Sequence, residues 1–214
     1  RAMGFAGLNI TYPCKQAVVP LLDEVSDEAR AIGGVNTVVF KQGRAIGHNT
    51  DGSGWRWGIE RSLPGADLSC VVLVGAGGAG SAIAHTLMRM GTPCLRIVDA
   101  DAARAVTLAA QLNAADARAA GLRAQAVSDI RQALQDATGL VHATPTGMDK
   151  LPGLPLPASL LRPTMWVSEI VYFPLHTALL QAARQRGCRV SDGGHMAVGQ
   201  AVGAFELFTG RRAD

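Results

Sequence analysis

Apolar and polar positions along this chain switch between two periods. Short runs of buried character recur at Cys70–Val74, Cys94–Val98, Gly139–His142, Met165–Val171 and Cys188–Val190, with a weaker one at Ala124–Val127. Between them lie helical patterns at Ser81–Met90, Ala102–Leu112, Asp129–Leu134 and Leu175–Arg186. Continuous apolar strands alternating with helices predict parallel βαβ crossovers, because only a sheet covered on both faces lets its strands be apolar throughout. A last helix is predicted over His195–Thr209, with Met196, Val198, Val202, Phe205 and Phe208 on its apolar positions. The first part of the chain reads differently. Gly7–Ile10 is a short strand, Pro13 opens a helix with Lys15 on its first turn, and Ser26-Asp27-Glu28 begins a helix ending at Gly33-Gly34. Val35–Phe40 and Ala45–Gly47 form a hairpin about Gln42-Gly43, followed by a helix Gly52–Arg61. Pro64-Gly65-Ala66-Asp67 is the expected linker, and Leu151–Pro157 a surface excursion.

The strand Val71–Val74 runs directly into Gly75-Ala76-Gly77-Gly78-Ala79-Gly80, a G-x-G-x-x-G pattern that opens a helix near Ser81. Glycine is needed there for a tight turn, for close approach of the backbone to a pyrophosphate, and for close packing of helix on strand. The helix start adds unpaired N–H groups and partial positive charge. The next strand ends at Asp99, where a carboxylate can accept ribose hydroxyls, and Ala143–Met148 is a loop at the carboxyl end of another strand, the edge where such sheets bind ligands. The expected fold is therefore α/β: a Rossmann-type doubly wound parallel sheet over 58–193, plus a smaller α/β substrate domain from 1–57 and 194–214.

Composition narrows the possibilities. The 214 residues are 48% hydrophobic and 17% charged, with a formal charge of +3 and no massed basic stripe, so neither a nucleic-acid nor a membrane partner is expected. The cysteines Cys14, Cys70, Cys94 and Cys188 form no C-x-x-C pair and have no histidine at zinc spacing, and read as reduced thiols of a cytoplasmic protein without a metal. Arg1-Ala2-Met3-Gly4-Phe5 resembles the end of a helix leading into a strand, so the substrate domain is expected to be N-terminally incomplete. Two residues stand out individually. A lysine at a helix start opposes the dipole, which hints at function for Lys15, although a lone lysine is usually a solvated surface residue. Asp51, taken alone, reads as the N-cap of the helix Gly52–Arg61.

Taken together, six ordered segments resemble the shikimate dehydrogenase family over nearly the whole chain. They are Gly7-Leu8-Asn9-Ile10-Thr11-Tyr12-Pro13-Cys14-Lys15, Ile32-Gly33-Gly34-Val35-Asn36-Thr37, Gly47-His48-Asn49-Thr50-Asp51, Ala143-Thr144-Pro145-Thr146-Gly147-Met148, Val171-Tyr172-Phe173-Pro174, and the run from Asp192 to Ala201. The resemblance implies reversible hydride transfer between a nicotinamide cofactor and a shikimate-like hydroxy acid, with Lys15 and Asp51 as the catalytic pair. It assigns the substrate to Asn9, Thr11, Asn36, Tyr172 and Gln200. The cofactor falls to Gly75, Ala76, Gly77, Gly78, Ala79, Gly80, Asp99, Ala143, Thr144, Pro145, Met148, Val171, Gly193 and Met196.

One departure bears on the cofactor. Many family members carry Asn-Arg-Thr after the second strand, where this chain has Asp99-Ala100-Asp101; two carboxylates repel a 2′-phosphate, so NAD is expected over NADP, as in the quinate/shikimate branch. Arg104 reads as a helix-surface residue. His142, His176 and His195 replace other residues of the family pattern and read as neutral variation, since they show no metal spacing. The family's N-terminal strand with its serine pair has no counterpart here. A nucleotide-binding module without turnover, or a dehydrogenase of an amino analogue of shikimate, stays open, as does a homodimer.

Overall fold

The computed structural model describes residues 4–115 and 123–214; the reading of Arg1 to Met3 lies outside them. Two sheets organise the chain. The first uses β1 (Gly7–Asn9), β2 (Glu24–Val25), β3 (Thr37–Lys41) and β4 (Arg44–His48) in the order β1-β3-β4-β2. β3 pairs antiparallel with β1 and β4, and β2 lies parallel to β4. Its core is small: Ala29, Val35, Val38 and Ala45 are buried, with Ile10, Leu22 and Phe40 packed around them. β2 was not expected, because two residues carry no period. The helix α1 (Asp27–Ile32) follows the sequence reading closely, with the Ser26 hydroxyl accepting the Ala29 N–H at 3.3 Å and Gly33 ending it at φ 75°.

The helix expected from Pro13 does not form. Cys14 N–H donates to Thr11 and Val18 N–H to Cys14, and a single 3₁₀ turn follows at Val19–Leu21. The Lys15 carbonyl goes instead to Val35 N–H at 2.9 Å, and Pro20 has no N–H to continue a ladder. Lys15 thus lies in a run of turns, and the dipole argument for its being misplaced does not apply.

After α2 (Asp51–Ser62) come β5 (Val71–Val74), α3 (Gly78–Arg89), β6 (Leu95–Val98), α4 (Ala102–Ala115), β7 (Ala124–Ala126), α5 (Ile130–Leu134), β8 (Gly139–His142), β9 (Trp166–Glu169), α6 (Ala178–Gln185), β10 (Arg189–Ser191) and α7 (Gly193–Thr209). The six strands form one parallel sheet in the order β10-β9-β8-β5-β6-β7. Alternate side chains divide between two cores. Leu73, Ile97 and Val141 meet Trp55 of α2, Ile83 and Leu87 of α3, and Leu108 and Leu112 of α4, whereas Val72, Leu140 and Val167 meet Ala133, Leu134, Leu179 and Ala183. Burial on both faces is what the unbroken apolar strands required.

α2 and α7 pack backbone to backbone and join the sheets. A methyl group on Gly54 would lie 2.4 Å from Gln200 N, and one on Gly199 2.6 Å from the Gly54 carbonyl oxygen. The boundaries expected at 57/58 and 193/194 fall inside these two helices. All four cysteines are free, but the Cys70 and Cys94 sulfurs are 3.2 Å apart, and burial together with that neighbour pushes the Cys70 thiol up to about 12. No described helix is long and apolar enough to cross a membrane.

Leu73 is fully buried at the centre of the larger sheet. Leu73→Ala is expected to lower unfolding free energy by about 2–5 kcal/mol, the range for a leucine cavity that cannot collapse, as read from urea denaturation.

Candidate active site

Two segments of the smaller sheet converge on one ion pair. The turn after β1 delivers Lys15, and the start of α2 delivers Asp51; Nζ and Oδ2 are 2.5 Å apart, with side chains 18% and 4% exposed. Asp51 is the first residue of α2 rather than its cap, which is Thr50. Its carboxylate bonds no helix N–H because it is turned the other way: Oδ1 accepts from Asn36 Nδ2 at 2.9 Å. The second amide hydrogen of Asn36 goes to Thr50 Oγ1 at 2.9 Å, and its Oδ1 accepts the Thr50 N–H at 2.8 Å. Asn36 is therefore placed behind the carboxylate as its support, and a direct bond to substrate would have to displace one of these.

Asn49 completes the frame. Its Nδ2 donates to the Gly34 carbonyl and its Oδ1 accepts the Asp51 N–H at 3.0 Å, tying the start of α2 to the loop before β3. Neither Asn49 nor Thr50 is among the residues expected at the site from the sequence, yet both hold the start of α2. Their signal was three hydrogen-bonding residues in a row directly after a strand.

The glycine turn faces this pair. Gly75 has φ 106°, and a methyl group there would lie 2.7 Å from the Ala143 carbonyl oxygen; one on Gly80 would lie 1.9 Å from the Gly75 oxygen. Both positions exclude any side chain. Gly77, the residue preceding α3, has nothing within 4 Å of such a methyl, so this side of the turn is open to a ligand, while one on Gly78 would touch Lys15 Cδ at 3.6 Å. The lysine stem thus crosses to the start of α3. Ser81 Oγ to the Ile32 oxygen, 2.8 Å, and Arg89 to Glu28, 2.5 Å, link the two sheets beside it.

At the end of β6, Asp99 Oδ2 accepts the Ala76 N–H at 2.6 Å and Oδ1 the Asp101 N–H at 2.8 Å. Arg104, exposed, pairs with Asp101 at 3.3 Å. On the other side of the turn, Ala143 N–H donates to the Val74 oxygen, so the loop Ala143–Met148 leaves β8 directly beside Gly75. Gly193 begins α7 against the carbonyl oxygens of Ile170 and Val171. Met196 is instead part of the core with Trp55 and Ile59. Asn9 and Thr11 are exposed at the end of β1, and Tyr172 is exposed on the loop after β9. Gln200 donates to its own helix at Ala197 and accepts the Thr50 hydroxyl on its carbonyl. Among the described residues, no group of three or more His, Cys, Asp and Glu could hold a metal ion.

A six-stranded parallel sheet with an open glycine turn, joined to a smaller sheet that carries the ion pair, defines a Rossmann-type dinucleotide-binding protein with a second, substrate-type domain. The profile described as "Shikimate dehydrogenase substrate binding domain" matches residues 1–38, and one described as "ThiF family" matches 66–146, the region of the glycine turn. The chain is 54% identical, over its whole length and 73% of the relative, to a shikimate dehydrogenase (NADP(+)) of Streptomyces avermitilis. It is 50% identical, over its whole length and 75% of the relative, to a quinate/shikimate dehydrogenase (NAD(+)) of Corynebacterium efficiens. In structure it superposes on quinate dehydrogenase from Corynebacterium glutamicum in complex with NAD with a TM-score of 0.91 and 48% identity, covering 100% of this chain and 76% of that one. The chain belongs to the shikimate dehydrogenase family.

Asn36→Ala would leave the Thr50 N–H without its acceptor and Asp51 Oδ1 without its amide donor in a buried site. The expected cost is about 1–3 kcal/mol in urea unfolding, the penalty for buried polar groups left unpaired.

Proposed function

We propose that this protein interconverts a cyclic hydroxy acid, shikimate or quinate, with its 3-dehydro form, and that it prefers NAD to NADP. The observation that carries the activity is the Lys15 ammonium held at 2.5 Å by a buried carboxylate while its stem rests on the start of α3. The residues at the glycine turn fit a nicotinamide dinucleotide: Gly75 and Gly80 close the backbone, Gly77 leaves the approach open, and Asp99 stands at the end of the next strand. When bound, that group supplies or accepts the hydride.

The chain's own residues handle charge and protons. A ring carbonyl that gains a hydride becomes an alkoxide, so its oxygen needs a positive charge and a proton at the same place. Lys15 Nζ provides both, and in the reverse direction its neutral amine takes the hydroxyl proton. Asp51 fixes the position of Nζ, and Asn36 and Asn49 fix Asp51. The partial exposure of Lys15 lets its proton exchange with solvent between turnovers. Asn9, Thr11, Tyr172 and Gln200 are assigned to the hydroxyls and carboxylate of the substrate, because a ring bearing several hydroxyls needs several fixed partners to select one orientation.

The NAD preference rests on local charge. Asp99 and Asp101 stand together at the end of β6, and Arg104, in the first turn of α4, is paired with Asp101. Two carboxylates favour ribose hydroxyls as donors and oppose a phosphate.

Steady-state assays with NAD and NADP, each with shikimate and quinate, are expected to give turnover with at least one acid and a kcat/KM at least about tenfold higher for NAD, some 1.4 kcal/mol. No turnover in any pairing would overturn the activity, and a tenfold preference for NADP the cofactor assignment. Lys15→Ala is expected to lower kcat by about two or more orders of magnitude while NAD titrations stay unchanged. A kcat near wild type would remove Lys15 from the chemistry.

A further inference from the structure

Beneath the loop that leaves β8 lies a polar chain with no part in the proton transfer above. His142, the last residue of β8, and Glu169, the last of β9, both have fully buried side chains, with Nδ1 and Oε1 2.8 Å apart. Glu169 is held from two further directions: Oε1 accepts the Val171 N–H at 3.0 Å, and Oε2 accepts the hydroxyl of Thr177, the N-cap of α6, at 3.1 Å. All its neighbours are donors, so the hydrogen on Nδ1 of the ring points at the carboxylate. The other ring nitrogen, Nε2, is left for Thr144 Oγ1, 2.5 Å away. Thr144 Oγ1 also accepts the Thr146 N–H at 3.4 Å.

This fixes one rotamer. With the Thr144 hydroxyl turned down to the imidazole, its methyl lies against the glycine turn; a methyl group on Gly75 would come within 2.9 Å of Thr144 Cγ2. A side chain two residues away thus decides how the turn at 143–146 rests on the first glycine of the cradle. Removing the imidazole would free Thr144 to rotate about χ1 and leave the buried carboxylate with one donor fewer.

We propose that His142, clamped by Glu169, is a positioning residue that sets the Thr144 hydroxyl and so holds the turn at 143–146 against Gly75 in the shape that seats the cofactor. The effect on binding rests on the reading that this protein takes a nicotinamide dinucleotide; the effect on the turn does not. The mutational test exploits reach. The amide of His142→Asn spans only as far as Nδ1 and can serve Glu169 alone, whereas His142→Gln extends to Nε2 and can serve Thr144.

Wild type, His142→Asn, His142→Gln, Thr144→Val and the His142→Asn/Thr144→Val double variant would be compared by NADH fluorescence titration, steady-state kinetics, and amide exchange at 144–147 in the cofactor-free protein. His142→Asn and Thr144→Val are each expected to weaken NADH binding about tenfold, with KM for the hydroxy acid within about twofold, as befits a misplaced turn. The Thr146 amide should exchange faster in both, His142→Gln should recover most of both losses, and the double variant should be no worse than either single one, since the two residues act through one contact. Unchanged NADH affinity in His142→Asn, failure of His142→Gln to recover it, or additive losses would overturn the proposal. If wild type binds no NADH, the proposed function falls; faster Thr146 exchange in His142→Asn would still support the positioning role, and unchanged exchange would overturn it.

Discussion

A buried carboxylate that must not be left alone is the constraint on which the architecture turns. Asp51 is almost wholly removed from water, and the desolvation of such a charge is repaid only by donors held at good geometry. Its donors come from two separate places, an ammonium from the turn after β1 and an amide from the residue before β3, while Asn49 accepts the Asp51 N–H and ties it to Gly34. None of these segments is regular enough to hold itself. Each is tied in by the bonds made around Asp51, so the small sheet, with few buried apolar residues of its own, gains order from its polar centre.

That centre has to meet the glycine turn, and backbone contact rather than side-chain packing brings it there. α2 begins at Asp51, and its next residue, Gly52, lies so close to α3 that a methyl group would sit 2.4 Å from Thr86 Oγ1. One turn on, Gly54 and Gly199 let α2 and α7 touch backbone to backbone. The same device, absence of Cβ, closes the cradle at Gly75 and Gly80. Glycine therefore permits every one of these approaches, since an added methyl group would meet a neighbouring atom at 2.7 Å or less at each of them.

Most of the large sheet was legible because its physics is local. Val71–Val74 and Gly139–His142 are continuous apolar runs, and burial on both faces permits nothing else. The failures were at places where long-range contact overrides local signal. The turn carrying Lys15 looked helical from Pro13 onward, but the Lys15 carbonyl is taken by Val35, which no local pattern could announce. Asp51 looked like a cap for the same reason: a carboxylate at a helix start has a local use, and only the fold brings an ammonium to it from 36 residues away. His142 read as neutral variation, since its partner Glu169 lies on the neighbouring strand.

Cofactor choice illustrates what similarity over a whole chain does and does not carry. Relatives named for NADP(+) and for NAD(+) stand at 54% and 50% identity to this chain, a difference too small to separate them. At the end of β6, Asp99 accepts the Ala76 N–H of the glycine turn with one oxygen and the Asp101 N–H with the other. This carboxylate cannot swing aside without releasing both backbone groups, and Arg104 is paired with Asp101. The same carboxylate thus fixes the backbone of the turn and sets the charge beside it, a local property to which identity averaged over a whole chain is blind.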